Sequence, residues 1–115
     1  MSHKLRSRRV AKQKAHATLF AALGDETRLL LVARLCGGQP QSISQLTRGS
    51  KLTRQGVTKH LRVLERAGIV HCVHAGRESR FEFEQKSIEE MKDYLDFVSR
   101  QWDQALSRLK ALVED

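Results

Sequence analysis

No stretch of this 115-residue chain is apolar for anything close to the roughly 18 residues that a membrane-crossing helix requires, so no membrane is expected among its partners. The N-terminus is basic but has no apolar run of the kind a secretory signal contains, which makes cytoplasmic residence the expectation. Cysteine is scarce. Cys36 and Cys72 are too few and too far apart for a disulfide framework or a metal knuckle, and they suit a reducing compartment. The single proline, Pro40, falls in a loop, Gln39-Pro40-Gln41. A Gly-rich phosphate loop, a nucleophile elbow and a paired-His metal helix are all missing, which removes the enzyme classes those motifs mark. Gly37-Gly38 follows a helix instead of opening one, and Asp93 and Asp96 stand three apart on a helix, where carboxylates are ordinarily solvated. No catalytic residue and no cofactor is expected.

Positive charge is what the chain does have. The net charge is +8, and it is unevenly placed. Residues 1–14 carry six Lys/Arg and no acid, and residues 42–80 carry eight against Glu65 and Glu78. Residues 81–115 are acidic, with nine Asp/Glu against five Lys/Arg. That is the footprint of a polyanion-binding unit joined to a segment with another task. Residues 1–14 form a basic, poorly amphipathic arm, either disordered or a frayed first turn of helix. Residues 15–84 form the binding domain and residues 85–115 a separate C-terminal helix.

Within the domain, Ala15 to Leu23 reads as a helix with Leu19, Phe20 and Leu23 on one side. Asp25 caps the next helix, to which Leu29, Leu30, Val32, Ala33 and Leu35 give a core-facing surface. Cys36 at its end reads as a small buried hydrophobe. Ser42 to Arg48 is a short capped helix and Gly49-Ser50-Lys51 a turn. Thr53 then caps a helix whose apolar stripe is Val57, Leu61 and Leu64, at i, i+4 and i+7. At about 100° per residue, Arg54, Gln55, Thr58, Lys59 and Arg62 fall on a different side, which carries no acid. This is the layout of a helix-turn-helix whose second helix reads double-stranded DNA: Arg54, Gln55 and Thr58 toward base edges, Lys59 and Arg62 toward phosphates, with Thr53 at the helix start. His60 lies beside the stripe and reads as a half-buried group bonded to backbone or phosphate.

Ile69 to Val73, a Gly76-Arg77 turn and the alternating Ser79 to Glu84 make a hairpin, the wing of a winged helix-turn-helix. Arg77 at its tip and Arg80 on its rising strand either reach DNA or pair with Glu78 or Glu82. His71, Cys72 and His74 are the one compact set of ligand-type residues, but His71 points away from the other two on a strand. From Ser87 onward, Ile88, Met91, Leu95, Val98, Trp102, Ala105, Leu109 and Leu112 recur at alternating intervals of three and four, a heptad stripe. A helix over 87–113, roughly 40 Å long at 1.5 Å per residue, exceeds what so small a domain can cover. Met91, Leu95, Val98, Trp102 and Leu109 are therefore the expected homodimer interface, with Trp102 its anchor. The alternative is that the helix folds back with Trp102 inside its own core. The expected fold class is mainly α with a small β-hairpin: a winged helix-turn-helix with a long C-terminal dimerisation helix.

Leu23-Gly24-Asp25-Glu26-Thr27-Arg28-Leu29, Ile43-Ser44-Gln45-Leu46, the run from Thr53 to Val70 and the Gly76-Arg77 turn together resemble the ArsR-type family of small bacterial winged-helix transcriptional repressors. The resemblance covers nearly all of the chain after the basic arm. It implies a homodimer that binds an imperfect palindrome in an operator and blocks transcription. Two departures stand out. Where many relatives place Cys-x-Cys and an acid for thiophilic metals, this chain has Ser42, Ser44 and Gln45, which are poor ligands for such ions. Where others hold zinc between the last helices, this helix has Asp93, Asp96 and Asp103 but no His. The resemblance is therefore to the non-metal-sensing branch, and no metal is expected. Other readings of the same residues are a redox-responsive repressor using Cys36 and Cys72, a winged-helix protein-interaction module, and a non-specific RNA or nucleoid binder.

Overall fold

Three side-chain caps set the starts of three helices. Asp25, Ser42 and Thr53 each have extended backbone, and each side chain accepts the backbone N–H three residues on. In the computed structural model, which describes residues 2–114 and side chains from Lys4 onward, these caps open α2 (Glu26–Leu35), α3 (Ile43–Arg48) and α4 (Arg54–Arg66). The cap of α3 is reciprocal. The Ser42 hydroxyl accepts from the Gln45 backbone N–H at 3.1 Å, and the Gln45 side-chain Oε1 accepts from the Ser42 N–H at 2.8 Å. Of the three polar residues Ser42, Ser44 and Gln45, two thus serve to start a helix. Ser42→Ala is expected to lower the unfolding free energy by about 1 kcal/mol, measured by chemical denaturation.

α1 (Ser2–Leu23) precedes them. Residues 2–14, expected as an arm or a frayed turn, continue this helix without a break. Its basic half is exposed on every side, so no apolar stripe marks it as helical in the sequence. Its second half docks Leu19 and Ala22 into the core and packs Phe20 and Leu23 against it. In α2 the buried residues are Leu31 and Leu35. Leu29 and Leu30, expected to face the core, are 51% and 62% exposed, and Ala33 is exposed as well. Cys36 is exposed at the C-cap and not buried.

The hairpin is part of a three-stranded sheet. β2 (Val70–Ala75) pairs antiparallel with β3 (Glu78–Phe83), and β3 also pairs with β1, the two residues Gln41–Ser42. The strand order is β1-β3-β2. A two-residue strand has no alternation to read, which is why the sequence shows only a hairpin. The wing turns on Gly76-Arg77, and only Gly76 has positive φ (66°), a conformation that glycine adopts without a Cβ penalty. Val70 and Phe81 face the core, where they meet Leu31, Leu35, Leu46, Val57, Leu61, Leu64 and Ile69.

α5 (Gln85–Glu114) is 30 residues, about 45 Å long. It begins two residues before the expected Ser87. That serine lies inside the first turn, buried, and its hydroxyl donates to the carbonyl of Gly68. Met91 is 9% exposed and belongs to the protomer's own core, so it is not part of an open dimerisation face. Beyond it most of the stripe is uncovered: Val98 and Ala105 are half-buried, but Leu95 is 54% exposed and Trp102 65%, and Leu109 and Leu112 are exposed too. Trp102 is therefore not folded back into the domain. No helix among the described residues is long and apolar enough to cross a membrane.

Candidate nucleic-acid interface

The two helices of the helix-turn-helix are held by arginine on their inner sides. Arg34, on α2, donates to the carbonyls of Gln45 (2.8 Å) and Leu46, two of the C-terminal carbonyls of α3. A Cβ at Gly49 would sit 3.0 Å from this guanidinium, so Arg34 lies close against the glycine of the turn. Arg28 joins three elements. Its backbone N–H is capped by Asp25 at 3.0 Å, its Nε donates to the carbonyl of Ala22 at the end of α1, and its Nη1 lies 3.3 Å from Nδ1 of His60 on α4. A guanidinium only donates, so Nδ1 of His60 is the acceptor in this contact. His60 is thus half-buried and bonded to a side chain, not to backbone. The Arg28 backbone N–H and the Arg28 charge hold the Asp25 carboxyl below the ordinary carboxylate range. Its contribution to stability is accordingly present above the unfolded carboxylate value and is lost as pH falls through the lower folded one.

On the inner side of α4 the Val57, Leu61 and Leu64 stripe is fully buried, while on the outer side Arg54, Gln55, Lys59 and Arg62 are exposed and Thr58 is half-buried. The Thr53 hydroxyl accepts from the Gly56 N–H at 3.1 Å. The Thr58 hydroxyl donates to the Arg54 carbonyl at 2.8 Å, which turns it back onto its own helix. Arg54 Nη1 donates to the Ser44 hydroxyl of α3 at 3.2 Å. Arg62 pairs with Glu65 at 3.0 Å. Gln55 and Lys59 have no ion pair or side-chain hydrogen bond among the described residues.

The wing brings its two arginines to different states. Arg80 makes a pair with Glu78, with Nη2 at 3.1 Å and Nε at 3.3 Å from the same carboxylate oxygen. That bond, the Ser42 hydroxyl and the Arg80 and Arg48 charges hold the Glu78 carboxyl below its ordinary range. Arg77 is exposed at the tip, without an ion pair among the described residues. On the outer face of β2, His71 Nε2 contacts Glu82 at 2.6 Å. Its Nδ1 is 2.9 Å from a Glu84 oxygen but is not aligned as a hydrogen bond. Cys72 packs against the core and His74 is exposed, so the three ligand-type residues of this strand do not converge. Among the described residues no three of His, Cys, Asp and Glu gather as a metal site.

The Arg80–Glu78 pair is one of the two alternatives the sequence offers for Arg80. Ser44, Arg28 and Arg34 were not marked by the sequence as parts of the interface, because their side-chain contacts to other elements span 6 to 32 residues.

A six-residue helix, a tight turn, a thirteen-residue helix whose outer face is basic and polar, with Glu65 as the one acid that reaches it, and a following hairpin constitute a winged helix-turn-helix DNA-binding domain. Residues 23–73 match a helix-turn-helix domain family. The HTH-type transcriptional regulator Rv2034 of Mycobacterium tuberculosis is 31% identical over 95 residues, spanning 83% of this chain and 85% of that protein. An ArsR-like transcriptional regulator from Rhodococcus sp. RHA1 superposes with a TM-score of 0.79 at 32% identity, covering 89% of this chain and 95% of that one. A homodimeric winged helix-turn-helix domain from Mycobacterium bovis, a possible ArsR-family regulator, shares the fold with a TM-score of 0.65 at 18% identity, over 88% of this chain and 90% of that one. The chain belongs to the ArsR family of winged helix-turn-helix transcriptional regulators.

Proposed function

We propose that two copies of this chain form a homodimeric repressor that binds an imperfect palindrome in the cytoplasm. The observation that carries the proposal is the coexistence of two uncovered surfaces: the basic face of α4, whose one acid, Glu65, is paired with Arg62, and the apolar stripe of α5 from Leu95 to Val113. The second requires a partner, and a second copy of the same stripe is the simplest one. Beside the stripe, a groove of about 840 Å³ between α1 and α5, lined by Lys12, His16, Tyr94 and Phe97 among others, gives the mate room to settle. The homodimeric state of the M. bovis relative supports this arrangement.

In the dimer each α4 enters a major groove, and the two heads stand about 34 Å apart, one turn of DNA. Arg54, Gln55 and Thr58 face base edges, Lys59 and Arg62 face phosphates, and Thr53 fixes the start of the reader. Arg77 and Arg80 clamp the flanking backbone from the wing. Leu95, Val98, Trp102 and Leu109 join the protomers and set the spacing between heads. Repression follows from occlusion of polymerase at the bound operator.

Competition between a palindromic operator, selected from genomic fragments, and random duplex tests the reading. Specific binding should exceed non-specific binding by a factor on the order of 10³ or more. Equal affinity for both would defeat it. Glu78→Gln releases Arg80 from its counter-charge and is expected to tighten DNA binding about two- to five-fold at low salt, with the difference fading as salt rises. A titration by fluorescence anisotropy at two ionic strengths measures this.

A further inference from the structure

Ser42, Ser44 and Gln45 put three polar side chains into four residues at the start of α3. Two are accounted for: Ser42 and Gln45 form the capping box. Ser44 takes no part in it. Its hydroxyl lies instead 3.2 Å from Nη1 of Arg54, the first residue of the reading helix. The backbone of Arg54 is already fixed, since the Thr53 cap secures the first turn and the Thr58 hydroxyl holds the Arg54 carbonyl. What the backbone does not fix is the long, exposed side chain, and among the described residues Ser44 is the one group that grips its guanidinium.

We propose that Ser44 is the positioning residue for base readout by Arg54, which rests on the reading of α4 as the DNA-reading helix. The serine oxygen accepts one of the five guanidinium N–H groups, and the other four stay available. A guanine presents O6 and N7 side by side in the major groove, and a planar fork held in one orientation meets them bidentately. An untethered arginine samples many rotamers and loses that freedom when it engages a base. One already tied to α3 loses less, so the preference for guanine over other bases rises. Ser44 itself touches no base. It acts through Arg54, so its removal should alter the preference at the base pair Arg54 reads and leave the rest of the site alone.

The test is selection of bound duplexes from a randomised library by the full-length wild type and by Arg54→Ala, Ser44→Ala, Ser44→Thr and Ser44→Cys, with thermal melting of each. Arg54→Ala identifies the position in each half-site that Arg54 reads. At that position Ser44→Ala should reduce the preference about 3- to 10-fold, the range one hydrogen bond supplies. Ser44→Thr keeps an acceptor oxygen and should retain the preference. Ser44→Cys keeps the volume with a weak acceptor and should follow alanine, which separates the hydrogen bond from packing. The assignment is overturned if Ser44→Ala keeps full preference at that position, if it weakens all positions evenly, or if threonine behaves as alanine does. A wild type that selects no sequence overturns the operator reading itself, a different outcome from a wild type that selects well and a serine variant that matches it.

Discussion

Arg54→Ala should lose roughly 1–3 kcal/mol of operator binding and relax the base preference at one position of each half-site. Lys59→Ala should weaken operator and random duplex alike and flatten the salt dependence by about one unit in the slope of log K against log salt. The two side chains lie on the same helix and are both exposed, so charge alone would make the substitutions equivalent. The geometry separates them. Arg54 stands at the N-terminal end of α4, where a reading helix meets base edges, and is tied to α3. Lys59 lies more than a turn further along with no partner among the described residues to orient it, and a flexible ammonium is suited to a phosphate. Anisotropy titrations against operator and random duplex across a salt series read both effects. Two variants with identical profiles would remove α4 as a sequence reader.

Trp102→Glu should dissociate the dimer and with it the operator complex. A buried interfacial tryptophan is commonly worth 2 kcal/mol or more, so the dimer dissociation constant should rise by about 30-fold at least. Unfolding is not the cause to fear, because Trp102 is 65% exposed and absent from the protomer's core, so the substitution removes nothing the domain packs on. Sedimentation at several concentrations measures the effect. The chain also has a single tryptophan, which makes its own fluorescence a probe of the interface. On dilution the wild-type emission should shift to the red as Trp102 meets water. An emission maximum independent of concentration, together with a monomeric Trp102→Glu that binds operator as tightly as wild type, would defeat the dimer reading.

How far the sequence leads depends on how local each interaction is. The caps at Asp25, Ser42 and Thr53 are legible because a cap closes within three residues. The α4 stripe is legible because Val57, Leu61 and Leu64 are separated by polar residues that fix its phase. α2 fails on the same criterion. Leu29-Leu30-Leu31-Val32 is apolar without interruption, so the pattern gives no phase, and the buried position proves to be Leu31. The basic half of α1 has no stripe to read, and β1 is too short to alternate. The electrostatic contacts of the site are the least legible, because each joins residues brought together only by the fold: Arg54 with Ser44, Arg28 with His60, Arg34 with the end of α3.

The Arg28 guanidinium is a small flat plate with α1 on one edge and α4 on another. Such a plate cannot follow two helices that tilt independently, since turning to keep one bond breaks the other. The end of α1, the start of α2 and the middle of α4 are thereby tied at a single side chain. A tilt of α1 against α4 has either to break one of these bonds or to carry the Arg28 side chain with it, which makes this one arginine a hinge pin between the N-terminal helix and the helix-turn-helix.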